Sequence, residues 1–138
     1  MLPIKNPTRE NFKKYGTLID FTEDQGGPDF QIVIRHEEDP WRIAVLRVKE
    51  RGFTELERHP RSYETFEPME GMTLLLLSLG TDPAEYEVFL LDRPVCLNKG
   101  VWHGIVTLTE EAKVKITENL MVETEFHKFQ RPMEVRVD

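Results

Sequence analysis

Short runs of alternating apolar and polar residues dominate this chain, and they predict strands rather than helices. Roughly ten such runs follow one another at intervals of about ten residues, separated by Gly, Pro and Asp turn residues. The run from Met72 to Leu79 is apolar at nearly every position, as in a strand covered on both faces. Besides it and a strand containing Glu64 and Phe66, the predicted strands are Thr17–Phe21, Phe30–Ile34, Trp41–Lys49, Phe53–His59, Glu85–Leu91, Val95–Leu97, Val101–Leu108, Lys113–Thr117 and Val135–Val137.

One short helix precedes the strands. Thr8 is a suitable N-cap for a helix over Arg9–Tyr15, and Gly16 is expected to end it in the left-handed conformation. The segment from Phe126 to Pro132 fits neither period, so no element is predicted there. One helix with many evenly spaced strands indicates an all-β sandwich or barrel, and 138 residues without repeats indicate one domain spanning residues 1–138.

Composition narrows the classes of partner. The net charge of -7 argues against nucleic acid, because a phosphate backbone repels an acidic surface. No apolar run reaches the ~20 residues that a membrane-spanning helix needs, and the N-terminus lacks the apolar core of a signal peptide. The single cysteine, Cys96, has no partner for an internal disulfide. We therefore expect a cytoplasmic protein in which Cys96, between Val95 and Leu97, is a buried packing residue.

The residues with chemical potential lie around Glu57-Arg58-His59-Pro60. Side chains alternate along a strand, so Glu57 and His59 should point the same way, and Pro60 should end the strand. Glu64 begins the next strand, and His103 arrives from a distant strand within Gly100-Val101-Trp102-His103. We expect the four side chains of Glu57, His59, Glu64 and His103 to converge on one cavity.

The spacing of these residues is similar to that of the cupin motifs. Glu57-x-His59-x4-Glu64-x6-Gly71 resembles the first motif with glutamate in place of its usual first histidine, and Gly100-x2-His103 resembles the second. The resemblance implies a cupin-like jelly roll, that is, a double-stranded β-helix barrel.

A closer resemblance is to the ureidoglycolate lyases, formerly called ureidoglycolate hydrolases. It is carried by the helix signature, by the central hairpin and by the second motif: Thr8-Arg9-Glu10-x-Phe12-x-x-Tyr15-Gly16-x-x-Ile19-Asp20, Leu56-Glu57-Arg58-His59-Pro60, Phe66-x-Pro68 and Gly100-Val101-Trp102-His103. It implies a cupin-like barrel that splits ureidoglycolate into glyoxylate and urea, a step of allantoin degradation in purine metabolism.

For that reaction, His59 or His103 suits proton transfer, with Glu57 or Glu64 as its partner, because an imidazole titrates near neutral pH. The substrate carboxylate needs a cation. Arg47 is predicted to bind it, because Ile43, Val45 and Arg47 alternate and are taken as the inward set. Lys99 and Trp102 are further substrate-binding candidates near the mouth; their simpler interpretations are an exposed turn residue and a packing residue.

Other functions fit the same residues. Where the lyases usually carry glutamine this chain has Glu64, so Glu57, His59, Glu64 and His103 also form a plausible site for Zn, Mn, Fe or Ni in a cupin isomerase or dioxygenase. A third possibility is a cupin that binds a small carboxylated metabolite without converting it. Each histidine also has a structural interpretation, and a register shifted by one residue would turn both glutamates to solvent. Finally, the resemblance implies a homodimer, paired through Met72–Leu79, the arm Met1–Pro7 or Met133–Val137.

Overall fold

The computed structural model of the protein describes residues 1–23, 27, 29, 31–35 and 39–136. The elements in this part of the chain are β1 (Leu2–Lys5), α1 (Arg9–Phe12), β2 (Gly16–Leu18), β3 (Trp41–Val48), β4 (Phe53–Arg58), β5 (Glu64–Glu70), β6 (Thr73–Ser78), β7 (Glu87–Leu90), β8 (Val95–Leu97), β9 (Trp102–Thr107), β10 (Ala112–Asn119), β11 (Glu125–Met133) and β12 (Val135–Arg136). The strands form two sheets, a seven-stranded sheet of order β11-β4-β9-β6-β7-β1-β12 and a five-stranded sheet of order β2-β8-β5-β10-β3.

The main core lies between the two sheets. Leu75 and Leu77 of β6 face Phe66 of β5 and Val114 of β10, and Phe12 of α1 closes the end of this core. All five side chains are almost completely buried. The predicted all-β class is confirmed, with two separate facing sheets in place of one closed barrel.

A second core covers the outer face of the seven-stranded sheet. β11 pairs with β4 at one edge of this sheet, and β12 pairs with β1 at the other, so the chain from Glu125 to Arg136 crosses the outer face. Phe129, Met133 and Val135 pack there against Leu74, Leu76 and other buried residues. This crossing is the region for which the sequence predicted no element. A proline, Pro132, is compatible with β11 because the strand lies at an edge.

β6 is buried at all six positions, as its apolar sequence predicts. It lies between β9 and β7 and has a core on each face. β6 is therefore already paired and covered within its own chain, and a homodimer formed through Met72–Leu79 stays a prediction. The Met1–Pro7 arm is not spare either, because β1 pairs in parallel with both β7 and β12 of its own chain.

In the N-terminal half, the structure agrees with the prediction at Thr8 and differs from it at Gly16. Thr8 caps α1, accepting from the Asn11 backbone while the Asn11 side chain accepts from the Thr8 backbone. The left-handed conformation expected at Gly16 is wrong: this residue starts β2 and has no positive φ. A Cβ at Gly16 would lie 1.9 Å from the Cys96 carbonyl oxygen, so close contact between backbones explains the glycine.

The strand predicted over Phe30–Ile34 is not observed at 31–34, and residue 30 lies outside the described residues, as does residue 137. Among the residues described, no helix has the length and apolarity needed to cross a membrane.

Candidate metal and ligand site

Three strands of both sheets bring the predicted side chains together. Glu57 lies near the end of β4 and pairs directly with His103 of β9, while His59 follows β4 and Glu64 opens β5. β4 ends at Arg58, one residue before the predicted end, and His59 and Pro60 lead into the turn toward β5. His59, Glu64 and His103 are buried, whereas the Glu57 side chain is 41% exposed. The convergence expected from alternation is therefore observed for all four residues.

Glu64 is the centre of the cluster. Its Oε1 atom lies 2.9 Å from Nε2 of His103 and 3.2 Å from Nε2 of His59. Glu57 Oε1 faces the same two nitrogens at 3.7 Å and 3.8 Å. The two Nε2 atoms thus point into a space bounded by two carboxylates.

The other ring nitrogens determine the tautomers. Nδ1 of His59 lies 3.1 Å from the Glu123 carbonyl oxygen, and Nδ1 of His103 lies 3.0 Å from that of Val101. A carbonyl only accepts, so Nδ1 of His103 donates a proton, whereas Nδ1 of His59 also lies 3.1 Å from the Thr124 hydroxyl and can either donate to the carbonyl or accept from that hydroxyl. In a neutral imidazole that donates from Nδ1, Nε2 carries a lone pair, which would face the carboxylate oxygens of Glu64. Such an arrangement requires a proton or a cation between nitrogen and oxygen.

In the absence of a cation, the electrostatics favour protons. Burial lowers the pKa of His103, but the carboxylates of Glu64 and Glu57 outweigh it and raise that pKa to about 10. Burial raises the pKa of Glu64, and the imidazoles of His103 and His59 outweigh it, bringing that pKa to about 2. The interaction with His103 likewise lowers the pKa of Glu57. The metal-free cluster is therefore a buried ion-pair network.

The same residues also fit a divalent metal. Potential ligand atoms of Glu57, His59 and His103 lie within 4.8 Å of one another, as do those of His59, Glu64 and Glu118. Four ligands at the ~2.0–2.1 Å typical of zinc lie roughly 3.3 Å apart, close to the spacings seen here. Histidines that bind metal through Nε2 usually donate Nδ1–H to a carbonyl or carboxylate, and each Nδ1 here has a carbonyl within hydrogen-bonding distance. Mixed nitrogen and oxygen ligands suit Zn, Mn, Fe or Ni.

A cavity of about 600 Å³ opens above the cluster. Ala44, Leu46, Phe66, Ile105 and Ile116 form much of its apolar wall. Arg42 is the one arginine or lysine among the described residues that line it. The space suits a small metabolite with apolar surface on one side and polar groups toward the cluster.

Arg42 and Glu118 complete the polar wall, and sequence reasoning missed both. They are directly opposite each other on β3 and β10. Glu118 Oε2 accepts from Nε and Nη2 of Arg42 at 3.0 Å and 2.6 Å. Glu118 is buried, and its other oxygen, Oε1, lies 4.0 Å from Nε2 of His59. The alternation Arg42-x-Ala44-x-Leu46-x-Val48 was the available signal, since it is the inward set of β3.

Arg47 faces outward, so the orientation expected for a substrate-binding residue is wrong. Ile43 and Val45, taken as its inward neighbours, are 56% and 61% exposed. Arg47 forms an ion pair with Glu111 at 2.5 Å, outside the cavity. The error is a register shift of one residue, which exchanges the two faces of a strand.

Lys99 and Trp102 also lie outside the cavity. Lys99 lies in an exposed turn, with its ammonium 5.3 Å from the Tyr63 ring centre. Trp102 points to the outer core, where its indole N–H donates to the Gly80 carbonyl at 2.9 Å and the Arg58 guanidinium covers its ring. The simpler interpretations of these two residues are the ones the structure supports.

Cys96 is buried as predicted, and burial raises the pKa of its thiol to about 12.

Comparison with solved structures shows the fold. The capsular polysaccharide assembling protein CapF from Staphylococcus aureus superposes with a TM-score of 0.55 at 18% identity, over 66% of this chain and 27% of CapF. A second crystal form of CapF gives 0.51 at 19% identity, over 62% and 26%. Oxalate decarboxylase from Bacillus subtilis, which has Mn(II) centres, is more distant, with a TM-score of 0.47 at 13% identity over 65% and 24%.

The two CapF superpositions confirm the predicted cupin-like fold, and at 18% and 19% identity they show the fold alone. The chain spans about a quarter of the length of these matched proteins. No protein-family model matches the sequence, and no curated protein is significantly similar to it.

Proposed function

We propose that this chain is a cupin-type metalloenzyme that acts on a small carboxylated metabolite. Its metal would be a divalent transition ion held by Glu57, His59, Glu64 and His103. The cavity above these residues would bind the metabolite, with Arg42 as its cationic wall. A bound divalent ion would supply Lewis-acid chemistry at the cavity floor.

One observation carries the proposal. Both Nε2 atoms point at the Glu64 carboxylate, from 2.9 Å for His103 and 3.2 Å for His59. His103 donates Nδ1–H to the Val101 carbonyl, so its Nε2 has a lone pair when the ring is neutral, and the same holds for His59 when its Nδ1 donates to the Glu123 carbonyl. Two lone pairs and a carboxylate at that distance repel unless a positive charge lies among them. Glu64 Oε1 and His103 Nε2 are buried 2.9 Å apart, so this charge must come from a proton or from a divalent ion, and His59 and Glu57 supply further ligands for an ion.

This chain's residues would bind and position the substrate. Arg42 supplies charge at the mouth, and the apolar wall excludes water from one side of the ligand. Glu57 is the most exposed member of the cluster and faces the cavity, so it is suited to hold or transfer a proton at the substrate.

A second candidate is a metal-free lyase of the ureidoglycolate type, which the position of His103 between the carboxylates of Glu64 and Glu57 favours. With a pKa raised to about 10 by Glu64 and Glu57 despite its burial, the His103 imidazole carries a proton at neutral pH. It could donate that proton to the departing nitrogen of urea, while Glu57 takes the hydroxyl proton of the carbinolamine. Ureidoglycolate is therefore the first substrate to assay.

Elemental analysis of the purified protein tests the main proposal. We expect close to one transition-metal ion per chain in the wild type, and a loss of most of it in His59→Ala and Glu64→Gln. His127→Ala is the matched control, because His127 packs against Trp102 and Phe129 on the outer face of the sheet. Equal metal content in the wild type and His59→Ala would contradict the proposal.

A urea-release assay on ureidoglycolate then separates the two candidates. Activity abolished by chelation and restored by one metal supports the metalloenzyme. Activity that withstands chelation but is lost in His103→Ala supports the metal-free lyase. Thermal stabilisation by a carboxylate without any product would indicate a binding protein.

A further inference from the structure

Arg42 and Glu118 span the distance between the cavity mouth and the metal-binding cluster. The Arg42 side chain is 44% exposed at the mouth, whereas that of Glu118 is only 8% exposed. Their pairing is enforced by the backbone, because the two residues are cross-strand partners in the β3–β10 ladder. A change in the contacts of the Arg42 guanidinium therefore directly affects the buried Glu118 carboxylate.

Glu118 already lies at the margin of the ligand set. One of its carboxylate oxygens lies within 4.8 Å of ligand atoms of both His59 and Glu64. Its Oε1 atom is 4.0 Å from Nε2 of His59, so a shift of about 1 Å would bring it to the spacing of ligands around one ion. Arg42 holds the other oxygen, Oε2, through two hydrogen bonds. Glu118 is therefore close to the cluster and restrained from joining it.

Arg42 is also where an incoming anion should bind. It is the one arginine or lysine among the described cavity-lining residues, and the acidic side chains Glu50, Glu55 and Glu57 line the same space. A guanidinium has five N–H donors and binds carboxylates in a bidentate manner, so a ligand carboxylate competes with Glu118 for the same group.

We propose that Arg42 and Glu118 form an anion-exchange pair: a ligand carboxylate takes the place of Glu118 on Arg42, and the released Glu118 carboxylate becomes a ligand of the metal. This inference rests on the proposed metal site. It identifies the ligand class as small carboxylates and makes metal binding and carboxylate binding mutually strengthening.

The energetics favour movement toward the cluster. A buried carboxylate that loses its cation is strongly destabilised, and at 8% exposure Glu118 has little contact with water. A divalent ion at His59 offers compensation on the side away from Arg42. Without the metal, that compensation is missing and the Arg42 pair should resist exchange. Reciprocity then requires that a carboxylate tighten metal binding as much as metal tightens carboxylate binding.

Calorimetric titration of chelator-treated protein with Co²⁺ tests the exchange, in sodium formate or in sodium chloride at equal ionic strength. We expect formate to tighten Co²⁺ binding by about tenfold, within the usual range of coupling between two sites. The visible absorption of bound Co²⁺ should change in the same titration, because the ligand set gains a carboxylate. This spectral change is independent of any enzymatic activity.

Variants separate the exchange from simple charge effects. In Glu118→Gln, Co²⁺ should still bind but formate should no longer tighten it. Arg42→Gln should bind Co²⁺ in chloride as tightly as the wild type does in formate. When Arg42→Gln is added to Glu118→Gln, the affinity for Co²⁺ should change less than about threefold. Arg47→Gln is the matched control, since Arg47 lies on the same strand in an ion pair outside the cavity; it should behave as the wild type.

Two results would overturn the exchange while leaving the metal site intact. One is Co²⁺ binding by the wild type that formate does not affect. The other is a formate effect that persists undiminished in Glu118→Gln, which would mean that formate acts by direct coordination or by screening. Failure of the wild type to bind Co²⁺ at all would overturn the proposed function as well.

Discussion

The metal-free protein should lose stability as the pH rises above neutrality, and the buried pair of His103 and Glu64 should cause most of the loss. The pKa of His103 is raised from 6.5 to about 10 in the folded state, burial being outweighed by Glu64 and Glu57. A raised pKa means that the stabilisation is fully present below pH 6.5 and disappears as the pH approaches 10. Glu64, with a pKa lowered to about 2, contributes the opposite window: its stabilisation is present above pH 4.5 and lost in acid.

The expected magnitude is a few kcal/mol. Each unit of pKa difference between folded and unfolded states corresponds to about 1.4 kcal/mol, but the two groups are coupled, so their contributions do not add. Urea unfolding with chelator present, at pH 6.5, 8 and 9.5, measures this change in the free energy of unfolding. Glu64→Gln should lower stability at pH 6.5 and flatten the decline, because the principal cause of the His103 shift is removed.

Glu87→Gln is the control for that series. Glu87 forms an ion pair with Lys5 and has its pKa lowered to about 2, with burial outweighed by the contacts to Lys5 and Tyr15. Its stabilisation is lost only in acid, so its removal should lower stability without changing the slope between pH 6.5 and 9.5. A decline equally steep in the wild type and Glu64→Gln would refute the reasoning.

Three further predictions concern the fold. Gly16→Ala should lower the free energy of unfolding by more than about 3 kcal/mol or prevent folding, because its Cβ would lie 1.9 Å from the Cys96 carbonyl oxygen. Gly100→Ala should lower it by about 1–2 kcal/mol, because Gly100 has a φ of 79° but open space around it. Urea unfolding compares the two variants. Leu75→Ala in the main core should cost about 2–5 kcal/mol in the same assay, and Leu120→Ala, 47% exposed, less than about 0.5 kcal/mol. The Cys96 thiol, with its pKa raised to about 12 chiefly by burial, should react with a thiol reagent only after denaturation, and rapid reaction of native protein would contradict its burial.

The floor of the site, formed by Glu57, His59, Glu64 and His103, could largely be predicted from the sequence, because local rules fix the positions of most of these residues. Glu57 and His59 share a face by alternation, and Pro60 directly follows His59 just beyond the end of β4. Glu64 follows after a turn too short to allow much freedom. His103 required a long-range inference, which the cupin-like spacing supplied and the direct pairing of Glu57 with His103 confirms.

The wall of the site could not be predicted, and edge strand β3 shows why. Its outward residues Trp41, Ile43 and Val45 are apolar and exposed, so both faces of the strand contain apolar residues. Hydrophobicity alone then favours the wrong face, and Arg47 is chosen in place of Arg42. Glu118 was missed for a different reason. Carboxylates are rarely buried unless paired, and its partner becomes visible only when β3 and β10 are in register.

Charge unites the floor and the wall. Glu57, Glu64 and Glu118 bring three negative charges to the cluster around the two imidazoles when ionised, and Arg42 offsets one of them. The remaining two charges match either one proton on each Nε2 atom or a single divalent ion between the imidazoles and carboxylates. Protons and a metal ion would therefore compete for the same positions, and either would balance the charge of the cluster. On the proposed function, the cluster could exchange protons for a metal ion, whereas an aliphatic replacement of equal volume would fill the same space without that property.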